Sequence, residues 1–365
     1  MTDSRRYLQL FSLNEGFYSP NALKDDLLAS IENSHIDLFS LRGARMFITG
    51  GTGYIGRWLV EALCYANATL DLQLRLTILT RNPKRFAELC PHLTRNACVS
   101  LLEGDVRTFS WSGEHFTHLI HAATDVERAV DAVEMFDVTV SGTKRVLDCA
   151  AALKIDRLLI LSSGSVYGHQ QSLQSNYSEA LPCSVDVSNP VSAYGLGKIA
   201  TEWLGNVYSS TYGFDVTSAR IFGQIGPNIP LNAHFAAGNF IRDAISGKSI
   251  IITGDGLSVR TFMYASDLVT WLIAILVRGE SRCAYNVGSD QGLTFRELAE
   301  AISRAVGGNL GEIMVLGQQT RGVAPPYYVP DISRASESLG LSIKVPIDHA
   351  ITKTVDWYLH HSKQS

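Results

Sequence analysis

A tyrosine and a lysine four residues apart, in the stretch SAYGLGKIA at 192–200, could perform acid–base chemistry. On a helix, positions i and i+4 lie one turn apart on the same face, so Lys198 would bring its ammonium group near the phenol of Tyr194. A nearby cation favours the phenolate and lowers the pKa of a tyrosine. The same spacing also fits two residues on an ordinary helix surface, and the pair alone does not distinguish these interpretations.

A glycine cluster in FITGGTGYIGRWLVEAL is a second candidate for chemistry. Gly50, Gly53 and Gly56 follow an apolar segment and precede an amphipathic one, which indicates a strand, a tight turn and a helix. Glycines allow close approach of the backbone, and the free N–H groups at a helix start bind the pyrophosphate of a dinucleotide. Because this strand begins an alternating pattern, we predict a dinucleotide-binding turn rather than a plain glycine loop.

The residues after the next predicted strand indicate which dinucleotide is bound. An acid at this position reads a free ribose 2′-hydroxyl, whereas an arginine suits a 2′-phosphate. The sequence is LTRNPKRF, with Arg81 at the strand end and Lys84 and Arg85 nearby. We therefore favour NADP over NAD as the cofactor, with solvated surface charge as the alternative. Asp105, after the third strand, is positioned to meet the adenine ring or is an ordinary loop aspartate.

The elements that must position these residues alternate along the chain. Such alternation predicts an α/β fold with a Rossmann-type doubly wound parallel sheet and a smaller C-terminal α/β substrate lobe. We predict strands at 74–80, 98–104, 117–123, 157–163 and 215–221, and helices near 83–90, 131–152 and 193–212.

Three parts are predicted along the chain. Residues 1–44 form an N-terminal helical extension, in which Ser19 caps a helix with apolar residues along one face. The Rossmann domain and the substrate-binding lobe are predicted to interleave. The Rossmann domain is predicted to consist of residues 45–221, with residues 259–287 returning to it. The substrate-binding lobe is predicted to consist of residues 222–258 and 288–365.

Composition restricts the partners. The chain has 365 residues, 46% of them hydrophobic, and a net charge of −4, so no basic surface indicates nucleic acid. The first residues show no signal peptide, and the longest apolar run, 268–277, is too short to cross a bilayer. We therefore expect a cytoplasmic protein without a membrane partner. Six cysteines without a C-x-x-C pair predict reduced thiols, and no metal site is expected.

Taken together, the motifs resemble the extended short-chain dehydrogenase/reductase family, in particular its NAD(P)-dependent nucleotide-sugar epimerase/dehydratase group. Several ordered motifs are far more specific than any single one. The resemblance covers about residues 45–360 and is carried by TGGTGYIG, GDV, HAA at 121–123, SGTKRVLDCA, LSSGSVYG, YGLGK, RIFGQIGP, GDGLSVRTFMYASDL, YNVGS and ITKTVDWY.

The resemblance implies a catalytic set of Ser163, Tyr194 and Lys198. Counting back from VYG places the catalytic hydroxyl on Ser163, although Ser162 and Ser165 lie close by. Tyr194 as phenolate would take the proton of a sugar hydroxyl while hydride leaves the same carbon, or act in reverse. Lys198 would lower the pKa of Tyr194 and hold the nicotinamide ribose. Ser163 would hydrogen-bond the reacting oxygen.

The resemblance also implies binding residues. Arg260 is expected to meet the substrate's diphosphate through paired hydrogen bonds, and a salt bridge to Asp255 or Asp267 is the alternative. Asn239 and Ser163 are expected to touch the substrate. The residues expected to contact the dinucleotide are Gly50, Gly53, Tyr54, Ile55, Gly56, Arg81, Asp105, Val106, Ala122, Ala123, Tyr194 and Lys198.

Departures from the family pattern narrow the reaction. Dehydratases of this group carry an acidic pair, and decarboxylases an acid, just after the catalytic hydroxyl, where this chain has Gly164 and Ser165. Elimination of water needs an acid to protonate the leaving hydroxyl, so a 4,6-dehydratase is disfavoured. Gly223 and Thr139 each replace a usual asparagine, which leaves the substrate pose open.

The leading hypothesis is hydride transfer at carbon 4 of a nucleotide sugar, by a 4-epimerase or a 4-keto-sugar reductase. The alternatives are a catalytically inactive dinucleotide-binding regulatory or scaffold protein, favoured by Gly223 and Thr139, and a reductase of a non-nucleotide carbonyl. Members of the family commonly dimerise through two helices per subunit, here 131–152 and 193–212. A homodimer is therefore expected from the resemblance.

Overall fold

The structure, a computed structural model, describes residues 23–111, 115–124, 131–168, 175–233, 235–307, 311–319 and 324–361. The predicted helix cap at Ser19 lies outside these residues. The strands are β1 (Arg45–Thr49), β2 (Arg75–Thr80), β3 (Val99–Glu103), β4 (His118–His121), β5 (Arg157–Ser163), β6 (Asp215–Ile221), β7 (Gln224–Ile225), β8 (Ile250–Ile252), β9 (Val259–Thr261), β10 (Met263–Tyr264), β11 (Ala284–Val287), β12 (Gly292–Thr294), β13 (Ile313–Val315) and β14 (Tyr327–Tyr328).

Helices lie between most of these strands along the chain. They are α1 (Lys24–Ser40), α2 (Tyr54–Leu70), α3 (Pro83–Leu89), α4 (Pro91–Thr94), α5 (Ala132–Leu153), α6 (Ala193–Tyr212), α7 (Ala236–Ile245), α8 (Ala265–Arg278), α9 (Phe295–Val306), α10 (Ser333–Leu339) and α11 (Ile347–His361). The strands and helices predicted from periodicity agree with these bounds to within two residues.

The central sheet has seven parallel strands in the order β11-β6-β5-β4-β1-β2-β3. Side chains of successive strand residues point to opposite faces. In β1, Met46 and Ile48 accordingly enter the core on the side of α1, α2 and α8, whereas Phe47 enters the core on the side of α5. Burial of both faces explains the nearly continuous apolar strands, and the predicted doubly wound fold is confirmed.

Helix α1 packs against α8, on the outside of the sheet. Leu27 and Ile31 on its apolar face are buried. Two buried carboxylates of α1 reinforce the contact. Asp26 accepts a 2.7 Å hydrogen bond from the Tyr264 hydroxyl, and Asp37 pairs with Arg278 at 2.6 Å. The helical part of the predicted extension is therefore docked on the domain that follows it.

The later part of the chain builds small sheets and a separate core. β9 pairs with β12 and β14, and β8 pairs with β13. Apolar residues of α7, α9 and α11 fill the core beside them. The predicted domain boundaries stay a prediction. In the structure, β9 belongs to this later part of the chain, β11 is a strand of the central sheet, and α8 packs against that sheet. Among the described helices, none is both long and apolar enough to cross a membrane.

Helices α5 and α6 pack side by side. Large apolar side chains remain exposed on both, including Phe136 on α5 and Trp203 on α6. Exposed apolar residues of this kind suit a protein interface. The homodimer predicted through these helices stays a prediction.

Docking of α1 leads to a stability prediction. Leu27 is fully buried, so Leu27→Ala should lower the free energy of unfolding by about 2–5 kcal/mol through lost burial and a residual cavity. Ile36→Ala, on the same helix at a side chain 72% exposed, should change it by less than about 0.5 kcal/mol. Urea denaturation of the full chain measures both. Equal effects would show that α1 does not pack as described.

Candidate active site

A cavity of about 850 Å³ lies at the carboxyl ends of the central strands. Gly50 follows β1, Thr124 follows β4, Ser163 ends β5 and Ile221 ends β6, and all four line this cavity. Parallel strands end at the same edge of a sheet, which is where ligands of doubly wound proteins bind. Tyr194 and Lys198, from the first turns of α6, complete the lining. The structure thus brings the three predicted catalytic residues into one space.

A second cavity, of about 400 Å³, adjoins the first at the glycine turn, because Gly50, Gly53, Ala122 and Thr124 line both. Each residue predicted to contact the dinucleotide lines one cavity or the other. The larger cavity adds Tyr54, Ile55, Gly56, Tyr194 and Lys198, and the smaller adds Arg81, Asp105, Val106 and Ala123.

The glycine turn fits a dinucleotide on steric grounds. Gly50 has φ of +69°, and a Cβ there would lie 2.5 Å from the backbone carbon of Ala122. A Cβ on Gly56 would lie 2.1 Å from the carbonyl oxygen of Gly50. Only glycine permits this approach of β1, α2 and β4. The residues at the start of α2 line the larger cavity, and free N–H groups at a helix start are suited to pyrophosphate binding.

Asp105 is held by an arginine that the sequence reading did not use. Arg107 donates from its backbone N–H and Nε to Asp105 Oδ1, both at 2.9 Å, and from Nη2 to Oδ2 at 3.1 Å. These hydrogen bonds keep the pKa of Asp105 below its usual value. Arg107 also contacts Glu134 and Asp137 on α5. Asp105 is therefore an ionised carboxylate held in one position in the wall of the smaller cavity.

The Lys198 ammonium is buried and hydrogen-bonded to other groups than the Tyr194 phenol. Its Nζ donates to the Leu161 carbonyl at 2.7 Å and to Thr124 Oγ1 at 2.8 Å, and lies 5.7 Å from the centroid of the Tyr194 ring. Burial lowers the pKa of Lys198 to about 8, against the opposing effect of Glu202. The strand carbonyl thus sets the position of this cation.

Tyr194 differs from the expectation based on helical spacing. Burial raises the pKa of its phenol, and a hydrogen bond with Ser163 opposes that rise. The predicted lowering of this pKa by Lys198 is not found, because the ammonium is fixed on Leu161 and Thr124 instead. The positions of Tyr194 and Lys198 one turn apart on α6 are therefore not sufficient to bring the phenol and the ammonium into contact.

Three serines were candidates for the catalytic hydroxyl. Ser162 donates to the buried carboxylate of Glu202, which Arg220 also binds at 2.8 Å. Ser165 has a buried hydroxyl for which no partner is found among the described residues. Ser163 lines the larger cavity and interacts with Tyr194. The geometry favours Ser163 over its two neighbours.

Arg260 does not line either cavity, but it stacks on two aromatic rings, of which Tyr328 lines the larger cavity. Its guanidinium carbon is 5.5 Å from the Phe295 ring centroid and 5.6 Å from that of Tyr328. The two carboxylates considered as alternative partners, Asp255 and Asp267, bind elsewhere. Asp255 accepts a hydrogen bond from the backbone N–H of Leu257, and Asp267 accepts two from backbone N–H groups. Burial lowers the pKa of Arg260. A stacked cation without a carboxylate partner in the described chain suits an anionic ligand.

Asn239 does not line either cavity described here. Its Oδ1 accepts a 3.0 Å hydrogen bond from Arg242 Nη1, one turn further along α7. The side-chain carbonyl is therefore already paired within the helix. Its role toward substrate stays a prediction.

The departures from the family pattern have steric explanations. A Cβ on Gly164 would lie 2.3 Å from the Tyr328 hydroxyl, and one on Gly223 would lie 2.0 Å from the carbonyl oxygen of Thr261. Thr139 packs against Gly197 and donates to the carbonyl of Met135. Neighbouring groups fill the space at both glycines, and Thr139 fits a close helix contact.

Several residues that line the larger cavity were not predicted from the sequence, among them Thr124 and Tyr328. Thr124 binds Lys198, and its place directly after HAA at the end of β4 was a usable signal. Tyr328 enters the cavity from β14, far along the chain, and no local pattern pointed to it. In the described part of the chain, no three His, Cys, Asp or Glu side chains form a metal-binding group.

Comparisons with known proteins agree with this geometry. The model of a family described as the NAD dependent epimerase/dehydratase family matches residues 46–288. Among curated proteins, UDP-glucuronic acid decarboxylase 1 of Xenopus tropicalis is 28% identical over 319 residues, covering 86% of this chain and 72% of the relative.

Solved structures share the fold. UDP-glucose 4-epimerase of Thermotoga maritima, solved with UDP-glucose, superposes with a TM-score of 0.73 at 20% identity, over 86% of this chain and 98% of that one. A dTDP-glucose 4,6-dehydratase of Streptomyces venezuelae, solved with NAD, gives a TM-score of 0.74 at 24% identity, over 87% and 98%. At these identities the likeness concerns the fold alone.

The buried ammonium predicts a pH-dependent stability. Between about pH 8 and 10 the unfolded chain keeps a proton on Lys198 that the folded chain has released, so stability rises with pH by about 2 kcal/mol. Lys198→Met should remove this rise, whereas Lys248→Met, at an exposed lysine, should retain it. Urea unfolding across this pH range measures the difference. Equal slopes in the two variants would contradict the burial of the Lys198 charge.

Proposed function

Because the chain belongs to the NAD dependent epimerase/dehydratase family, we propose that it is an NAD(P)-dependent enzyme that transfers hydride at carbon 4 of a nucleotide sugar. The observation that carries the proposal is the convergence of Ser163, Tyr194 and Lys198 on one cavity beside the glycine turn. A protein that only bound a dinucleotide would not need a serine, a phenol and a buried ammonium in that arrangement.

The chain's own residues divide the work by position. Tyr194 accepts the proton of the carbon 4 hydroxyl as that carbon is oxidised, or returns a proton on reduction. Ser163 donates a hydrogen bond to the same oxygen and shares its developing charge. Lys198, held by Leu161 and Thr124, places a positive charge near both. When bound, the dinucleotide supplies the site that accepts or donates hydride.

The two cavities suggest how the dinucleotide would be held. The start of α2 would bind its pyrophosphate, and the smaller cavity with Val106 and Ala123 would take its adenosine end. Arg81 and Arg85 line that smaller cavity, whereas the nearby Lys84 does not. This placement supports a preference for NADP over NAD.

Arg260 is the proposed contact for the diphosphate of the substrate. A guanidinium binds phosphate oxygens through paired charge-assisted hydrogen bonds, and stacking on Phe295 and Tyr328 fixes its plane. The aromatic stack also removes the arginine from bulk water, which strengthens an interaction with an anion. This residue is the main support for a nucleotide-linked substrate over a smaller carbonyl compound.

The reaction outcome follows from what the site lacks. The curated relative is a UDP-glucuronic acid decarboxylase, but the residues after Ser163 are Gly164 and Ser165, neither of which is an acid. Hydride transfer at carbon 4 without elimination or loss of a carboxyl group therefore fits best. A 4-epimerase retains its dinucleotide through the cycle, whereas a 4-keto-sugar reductase exchanges it. A second candidate is an inactive binding protein, and the packing around Gly223 and Thr139 supports it less, because it gives a structural reason for both residues.

Removal of the proposed base tests the function. Tyr194→Phe should lower kcat on nucleotide sugars by about 10²–10⁴-fold, because the proton has no acceptor, while dinucleotide affinity changes little. Tyr212→Phe, at an exposed tyrosine of the same helix, serves as the control and should keep full activity. Product analysis by NMR across UDP-, GDP- and dTDP-sugars, with dinucleotide binding followed by fluorescence, gives both quantities. Turnover that persists in Tyr194→Phe would contradict the proposal.

Replacement of Arg81 tests the cofactor preference. Arg81→Ala should weaken NADPH binding by about ten- to a hundredfold, because a charge-assisted hydrogen bond to the 2′-phosphate is lost, and should leave NADH binding nearly unchanged. Lys84→Ala provides a matched control at an exposed cation of the same loop. Titration of each variant with both dinucleotides measures the ratio. An equal loss for NADPH and NADH would refute the assignment of Arg81.

A further inference from the structure

The hydroxyl of Tyr328 occupies the place where a side chain at position 164 would begin. A Cβ on Gly164 would lie 2.3 Å from this hydroxyl and 2.7 Å from Cζ of Phe222. Both distances are shorter than non-bonded carbon contacts allow. A side chain at position 164 therefore cannot coexist with Tyr328 in this position. The nearest atom to such a Cβ is the hydroxyl oxygen of a tyrosine that belongs to β14.

Packing fixes the direction of the Tyr328 hydroxyl. Its ring centroid lies 4.6 Å from that of Phe222 and 5.7 Å from that of Tyr177, the latter edge to face. The Arg260 guanidinium covers the ring at 5.6 Å. Contacts of these kinds restrict an aromatic ring to one orientation. The phenol is thereby held in the larger cavity, which Ser163 and Tyr194 also line.

Ser163 has a limited number of hydrogen bonds to share between two phenols. A serine hydroxyl has one proton and two lone pairs. One lone pair accepts the backbone N–H of Ser165 at 3.1 Å. Ser163 interacts with both Tyr194 and Tyr328, lowering the pKa of each phenol against the raising effect of burial. If one phenol fills the remaining lone pair, the single proton must point to the other.

We infer that Tyr328 is a positioning residue for the proposed reaction. Its hydroxyl donates to Ser163 Oγ and so directs the one Ser163 proton toward the Tyr194 oxygen or, once substrate is bound, toward the reacting oxygen beside it. This inference rests on the proposed function for the identity of that oxygen. Tyr328 is the donor of the two phenols, because a Tyr194 that acts as a phenolate base can only accept a hydrogen bond from Ser163. Tyr194 is left as the phenol that loses its proton.

Removal of the hydroxyl alone separates this role from simple packing. Tyr328→Phe keeps the ring and its contacts, and should lower kcat about tenfold with a smaller change in KM. The acidic limb of the pH–rate profile should move to higher pH, because the Tyr194 phenolate loses the Ser163 proton. Tyr327→Phe, on the same strand, loses a hydrogen bond to Asn176 outside the cavity and should leave both quantities unchanged. Equal effects of the two variants, or an unmoved pH profile, would overturn the inference.

A double-mutant cycle with Ser163→Ala tests whether Tyr328 acts through that serine. In the Ser163→Ala protein, Tyr328→Phe should cause no further loss of kcat. The same cycle read from urea unfolding needs no substrate. There the combined effect on the folding equilibrium constant should differ at least threefold from the product of the single effects. No coupling in unfolding would sink the inference about Tyr328, whereas no turnover by the unaltered chain on any nucleotide sugar would sink the proposed function.

Discussion

A buried positive charge at the end of β5 governs the candidate site. The ammonium of Lys198, only 3% exposed, gains two hydrogen bonds, of which one goes to a strand carbonyl. Glu202, one turn further along α6, is shared between Ser162 and the buried guanidinium of Arg220. Two cations and one anion leave these three groups with an excess of positive charge in a poorly solvated region. Such a site favours an anion next to it, such as a phosphate oxygen.

The remaining architecture keeps that charge in place. The strands on either side of β5 are in parallel register with it, so the carbonyl of Leu161 is held by the sheet and not by a loop. Helix α5 packs along α6 through close contacts such as Thr139 against Gly197. On the opposite face, α8 fills the core and is itself covered by α1. Rigid elements, more than loops, therefore position the chemical groups.

The substrate side of the site is built differently, from segments of the later chain. Arg260 on β9 and Tyr328 on β14 meet because these two strands pair, with Tyr328 opposite Arg260 in the register. That pairing places the Arg260 cation on the ring of Tyr328, which lines the larger cavity together with residues at the ends of the central strands. A small change in this second sheet would alter what lies beside Ser163 while the Rossmann elements stay the same. Families built on one fold can diversify their chemistry in this way.

Local patterns in the sequence were sufficient for the fold and for much of the site. Between residues 74 and 221, hydrophobic periodicity placed five strands and three helices to within two residues, because the period of buried side chains differs between a helix and a strand. The glycine spacing identified the turn at Gly50, and the four-residue spacing identified Tyr194 and Lys198 on one helix. Tertiary structure alone decided what those groups touch. Lys198 binds Leu161 and Thr124 because of the order of the strands. Tyr328 lies beside Gly164 because segments far apart in the sequence pack together. The spacing of residues within one helix or strand cannot predict such a contact.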